Sequence, residues 1–151
     1  MKRAGFTMIE LIFVIVILGI LAAVAIPRLA ATRTDAAVST MASELATVIT
    51  DIGSSFTARG AMDTYPNMTN VSLQTSSGGT TDSTASTANA FLNNGTVESC
   101  YTIAPTADGN LTITSTGTSA ICTGAHGITD ANNLSDAGGQ LHEFGGTGVV
   151  R

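Results

Sequence analysis

The 151-residue chain sets six Lys and Arg against eleven Asp and Glu, a formal net charge of −5, and has no Trp. That length allows one membrane anchor and one modest domain, and the acidic balance lacks the basic stripe needed to neutralise nucleic-acid phosphates. No Ser-His-Asp spacing, His-Glu-x-x-His pair or phosphate loop occurs, and His126 and His142 are too scattered for an acid–base pair, so the chain is read as a non-enzyme.

From Phe6 to Ile26 there are 21 residues of which only Glu10 is charged, ending at Pro27. As a helix the run spans about 32 Å, close to the hydrocarbon thickness of a bilayer. Lys2 and Arg3 precede it, which places the N-terminus in the cytoplasm and carries the rest across. Glu10 is the anomaly, because a charge at a bilayer centre costs about 2.5–3.5 kcal/mol on insertion scales. On periodicity alone it either snorkels to the headgroups beside the positive end of the helix dipole or has a functional partner. Gly19 and Pro27 are the two weak points of this helix: glycine for its backbone freedom, proline for its missing N–H and its clash with the Ala23 carbonyl.

Beyond Pro27 the pattern turns amphipathic. Met41, Leu45, Val48, Ile49, Ile52 and Phe56 recur at spacings of three and four, with Ser43, Thr47, Thr50 and Asp51 between them. The stripe is read as the core face that a following domain covers, and Gly53 or Gly60 as the end of the helix. In residues 60–96, Tyr65-Pro66 marks a turn, Val71–Leu73 a short strand, Gln74–Asn89 a Ser/Thr/Gly-rich loop, and Phe91 and Leu92 enter the core. Val97, Tyr101 and Ile103 share one face of an alternating strand. Asp108-Gly109 is a hairpin signal, Leu111–Thr114 the return strand, and a third strand is expected at Ala120-Ile121-Cys122.

The Gly5-Phe6-Thr7-Met8-Ile9-Glu10 sequence, with the apolar run and Pro27 after it, resembles the processing region of type IV prepilins and type II secretion pseudopilins. The resemblance covers residues 2–33. An ordinary signal peptide is cut after its apolar run and carries no acid within it. The resemblance implies cleavage after Gly5, methylation of the new amine on Phe6, and an assembly role for the Glu10 carboxylate against a neighbouring subunit's amine. It also implies an α+β fold in which a long N-terminal helix packs against a small antiparallel β-sheet. The expected segments are a leader at 1–5, a transmembrane and assembly helix at 6–26, an amphipathic continuation at 27–59 and a β-rich domain at 60–151.

The expected partners are copies of the chain and other pilin-like subunits, the prepilin peptidase and N-methyltransferase, the inner-membrane assembly platform and the membrane itself. No direct nucleic-acid contact is expected. The expected location is the bacterial inner membrane, single-pass, with the C-terminal domain periplasmic and the subunit entering a periplasmic or cell-surface filament. Gly19, Ala22, Ala23 and Ala25 allow helices to approach closely in such a bundle. The expected filament is a type II secretion pseudopilus, since the Leu11–Ala25 run is similar to that of pseudopilins and the exported part is compact, with a type IV pilus for adhesion, motility or DNA uptake as the alternative. An uncut, membrane-anchored periplasmic binding domain is the rival from another class.

Four further features remain. Cys100 and Cys122 are the only cysteines, and outside the cytoplasm they read as a disulfide, with free thiols or a metal site as alternatives. Asp130, Asn132 and Asp136 cluster oxygens of the kind calcium prefers, without full EF-hand spacing; an Asx-rich turn is the competing reading, and no other cofactor is expected. Asn110-Leu111-Thr112 is an N-glycosylation sequon with Asp108 two residues before it. Gly138-Gly139 and Gly145-Gly146-Thr147-Gly148 read as turns.

Overall fold

A computed structural model describes residues 5–74, 89–94 and 98–145. The leader residues 1–4, most of the Gln74–Asn89 loop, Val97 and the 146–148 part of the last glycine run lie outside them. The chain divides into two compact units, residues 1–34 and 35–151. One 52-residue helix, α1 (Met8–Arg59), contributes its front part to the first unit and its rear part to the second. The helix continues through Pro27, so the weak point expected there does not end it. Arg59 is its last residue, Gly60 follows at φ +71°, and the Gly60 N–H closes the last turn on the Phe56 carbonyl at 2.7 Å.

In the second unit the stripe is buried as its spacing requires: Leu45, Val48 and Ile52 are fully enclosed, with Met41, Ile49 and Phe56 beside them. Their cover is a four-stranded antiparallel sheet in sequence order, β1 (Ala90–Asn93), β2 (Ser99–Pro105), β3 (Asn110–Ser115) and β4 (Gln140–Glu143). Alternation delivers Leu92, Tyr101, Ile103, Leu111 and Ile113 to one core with the helix stripe. This is an α+β fold of the kind found in type IV pilins.

The hairpin at Asp108-Gly109 forms as expected. Gly109 has φ +85°, and a Cβ there would lie 2.3 Å from the Phe56 ring, so both backbone and packing demand glycine. Gly53, the other candidate helix end, instead lies inside α1. A Cβ on it would meet the Phe144 ring at 2.6 Å, so its hydrogen is the seat on which Phe144 rests.

Two local expectations are corrected and a third is made more specific. Ala120-Ile121-Cys122 is not a strand but the first turn of α3 (Ala120–Ala131). Ser119 is its N-cap, accepting the Cys122 N–H at 3.3 Å, and the Glu98 carboxylate accepts the Thr118 N–H at 2.6 Å and the Ser119 N–H at 3.2 Å. These contacts satisfy donors that a helix start otherwise leaves orphaned. Tyr65-Pro66 opens a single helical turn, α2 (Tyr65–Met68), with Pro where no N–H is needed. Val71–Leu73 forms no strand; one bridge, Gln74 with Phe91, replaces it, while Leu73 is buried as a core residue.

Candidate processing and assembly segment

Gly5 and Phe6 precede the helix and are open to solvent; Phe6 is 83% exposed, and nothing lies within 4 Å of a Cβ placed on Gly5. A solvent-accessible glycine suits a peptidase that acts after it. Thr7 stands at the N-cap of α1 and Glu10 three residues on, and the two close a reciprocal capping box. The Thr7 N–H and hydroxyl donate to Glu10 Oε2 at 2.8 and 2.7 Å, and the Glu10 N–H returns a bond to Thr7 Oγ1 at 3.3 Å. Among the described residues Glu10 Oε1 takes no bond, so one carboxylate oxygen is held in place and the other is available to an outside cation. Sequence reasoning missed Thr7 as a functional partner, although Thr-x-x-Glu ahead of an apolar run was its legible signal.

Behind Glu10, every residue from Leu11 to Ala30 is exposed, including Phe13, Ile15, Leu18, Ile20, Leu21, Val24 and Leu29. This stretch is long and apolar enough to cross a membrane, and none of it is buried within the chain. A face of this size is not left to water. Gly19 opens onto free space within it. Thr32 and Thr34 turn their hydroxyls onto the Leu29 and Ala30 carbonyls, at 3.0 and 3.2 Å, so the helix hides its polar groups as it leaves the apolar run.

In the second unit Cys100 and Cys122 form a disulfide, with Cα atoms 4.9 Å apart, joining β2 to the first turn of α3. The Glu98 carboxylate lies beside this link; the Thr118 N–H, then the Ser119 hydroxyl, hold its pKa below the usual carboxylate value. A buried chain of hydroxyls ties the other end of α3 to the sheet: the Tyr101 phenol meets Thr129 Oγ1 at 2.9 Å, and Ser135 Oγ lies 2.7 Å from the same oxygen. Burial pushes the Tyr101 phenol up to about 12, opposed by the Thr129 bond.

The candidate calcium ligands lie at the exit of α3 but are turned to different partners. Asp130 Oδ1 accepts from Ser135 at 2.7 Å and Ser115 at 3.1 Å; the Asn132 amide donates to the Ile128 carbonyl; Asp136 Oδ1 accepts the Gly138 N–H. Asn110 begins β3 opposite Glu143, and the middle sequon residue, Leu111, is fully buried. The histidines are also apart: His126 Nε2 faces the Cys100 carbonyl and His142 Nε2 the Leu134 carbonyl.

A family model for the prokaryotic N-terminal methylation motif matches residues 1–26. Comparison with curated proteins and with solved structures gives no match. The matched residues include Gly5, Phe6, Thr7 and Glu10 together with the exposed apolar run. Residues 1–26 are thus the prepilin-type signal carried by type IV pilins and pseudopilins.

Proposed function

We propose that this chain is the structural subunit of a pilus-like filament, cut after Gly5, methylated on Phe6 and polymerised through the apolar front of α1. The observation that carries the reading is the coincidence, in one segment, of the methylation motif with an apolar helix that is exposed among the described residues. Before assembly the helix resides in the inner membrane, the cytoplasmic side marked by Lys2 and Arg3, with the second unit in the periplasm. In the filament, apolar helices exchange lipid for one another by van der Waals packing. Glu10 accompanies them because a neighbouring subunit's N-terminal amine neutralises it, using the carboxylate oxygen that the Thr7 cap leaves open.

The filament type we infer is the secretion pseudopilus. The Leu11–Ala25 run is similar to that of pseudopilins, and the small exported part suits a short periplasmic filament.

The deciding experiment is the intact mass and N-terminal peptide of the chain from its native membrane. The expected product begins at N-methylated Phe6, and a chain still carrying residues 1–5 beside an active prepilin peptidase overturns the reading. Gly5→Leu is expected to block maturation. Glu10→Ala is expected to be matured and membrane-held yet absent from sheared filaments. Loss of secreted enzymes on deleting the gene, without loss of surface pili, separates pseudopilus from pilus.

A further inference from the structure

The charges of α1 follow an unusual rule. Arg28, Arg33, Asp35 and Glu44 have no opposite charge three or four residues away, the separations at which helical side chains meet. Among the described residues the single ion pair is Arg59 with Asp63, which leaves Arg28 and Arg33 as the described cations without a carboxylate. Among the described acids of the second unit, Asp51 accepts the Thr69 hydroxyl, Glu98 caps α3 and Asp130 takes two serines, while Asp35, Asp108 and Glu143 are exposed. Glu44 is different. Half-buried beside Leu45 on α1, it has no hydrogen bond or ion pair among the described residues, and burial pushes its carboxyl above the ordinary value. A carboxylate partly screened from water without a partner is a cost to the isolated subunit.

We propose that Glu44 of one subunit pairs with Arg33 of a second copy of this chain, fixing the stagger at which parallel subunits lock together in the filament. The pairing rests on the filament reading above. Charge complementarity selects the occupant: cleavage after Gly5 removes Lys2 and Arg3, and Arg59 is engaged, so Arg28, Arg33 and Arg151 are the cations that remain. Arg28 directly follows Pro27 at the edge of the apolar run, where lipid headgroups compete for it, whereas Arg33 lies five residues further out. Since Arg33 precedes Glu44 by eleven residues, the contact is satisfied only by copies displaced along the helix direction. The apolar helices provide adhesion without register, because one turn of aliphatic surface resembles the next. A single desolvated charge pair discriminates among such registers.

The test is charge reversal in the full-length chain, expressed with its own assembly machinery, reading sheared filament and mature subunit in the membrane. Arg33→Glu and Glu44→Arg are each expected to lower filament yield about tenfold or more while membrane levels hold, and the double reversal to restore it. Glu44→Gln and Arg33→Gln guard against a folding defect: their losses are expected to be non-additive in the double variant. Additive losses, or a double reversal no better than either single one, overturn the pairing. Recovery by Arg28→Glu with Glu44→Arg instead overturns the choice of Arg33, and loss of Arg33→Glu from the membrane assigns that residue to headgroups. Absence of filaments from the unaltered chain defeats the filament reading itself, an outcome distinct from failed rescue of an assembling one.

Discussion

Leu11–Leu29 and Met41–Phe56 belong to the same helix, yet their apolar residues have opposite fates. The rear stretch is striped, and its own chain covers the stripe with Leu92, Tyr101, Ile103, Leu111 and Ile113. The front stretch is apolar all round and exposed among the described residues. A one-sided apolar face can be satisfied by one sheet, whereas a helix apolar on every side needs a medium, either lipid or other helices. The rear half is accordingly about folding and the front half about location and assembly.

Substitution separates the two most sharply at Leu45. Leu45→Ala, at a fully buried position, is expected to cost about 3–4 kcal/mol in denaturant unfolding of the detergent-held chain. Ile17→Ala, equally aliphatic but in the exposed run, is expected to leave that unfolding midpoint unchanged and weaken membrane partition. Removing the Cys100–Cys122 link with a double serine variant is expected to cost about 3 kcal/mol, read by the same method, since the loop it closes is 22 residues in separation. Thr7→Ala, which removes the front cap, is expected to cost about 1 kcal/mol of local helix stability, seen as faster amide exchange over Met8–Leu11 with the second unit unaffected.

The smallest effect is a pH dependence. Glu98 has its pKa lowered in the folded state by the Thr118 N–H, so folding holds it ionised while the unfolded chain takes up a proton near 4.5. Its contribution is present above that value and lost as pH falls through the folded pKa. Asp63, lowered first by the Thr64 N–H, acts in the same direction. Thermal melts from pH 6 down to about 3 are expected to show a shallower acid limb for Glu98→Ala than for the unaltered chain. An identical slope removes Glu98 as a contributor.

The same contrast, local pattern against remote contact, separates the elements that are legible in the sequence from those that are not. Residues 5–10, the apolar run, the helix stripe and the Asp108-Gly109 hairpin are legible because each is a local pattern: a motif, a period of 3.6 or a turn residue. Helix α3 is not legible as a helix. Its Gly124 and Gly127 weaken helical propensity, and the Glu98 carboxylate that helps to cap it lies 20 residues from Thr118. Strand β4 is equally obscure, since Gln140-Leu141-His142-Glu143 owes its extended form to pairing with β3 rather than to its own residues.

What this sequence determined alone is therefore the signal, the long helix and the division of that helix into an uncovered front and a striped rear, all properties of neighbouring residues. Tertiary structure alone accounts for the glycine inside α1, because the Phe144 ring occupies the space beside Gly53. It also decided that Ala120–Ala131 coils rather than extends and that Glu44 is half-buried with no counter-ion among the described residues. The physical reason is range: periodicity and capping act within one or two turns, whereas a ring on a glycine, a distant carboxylate on a helix start and the desolvation of a side chain exist only once remote segments meet.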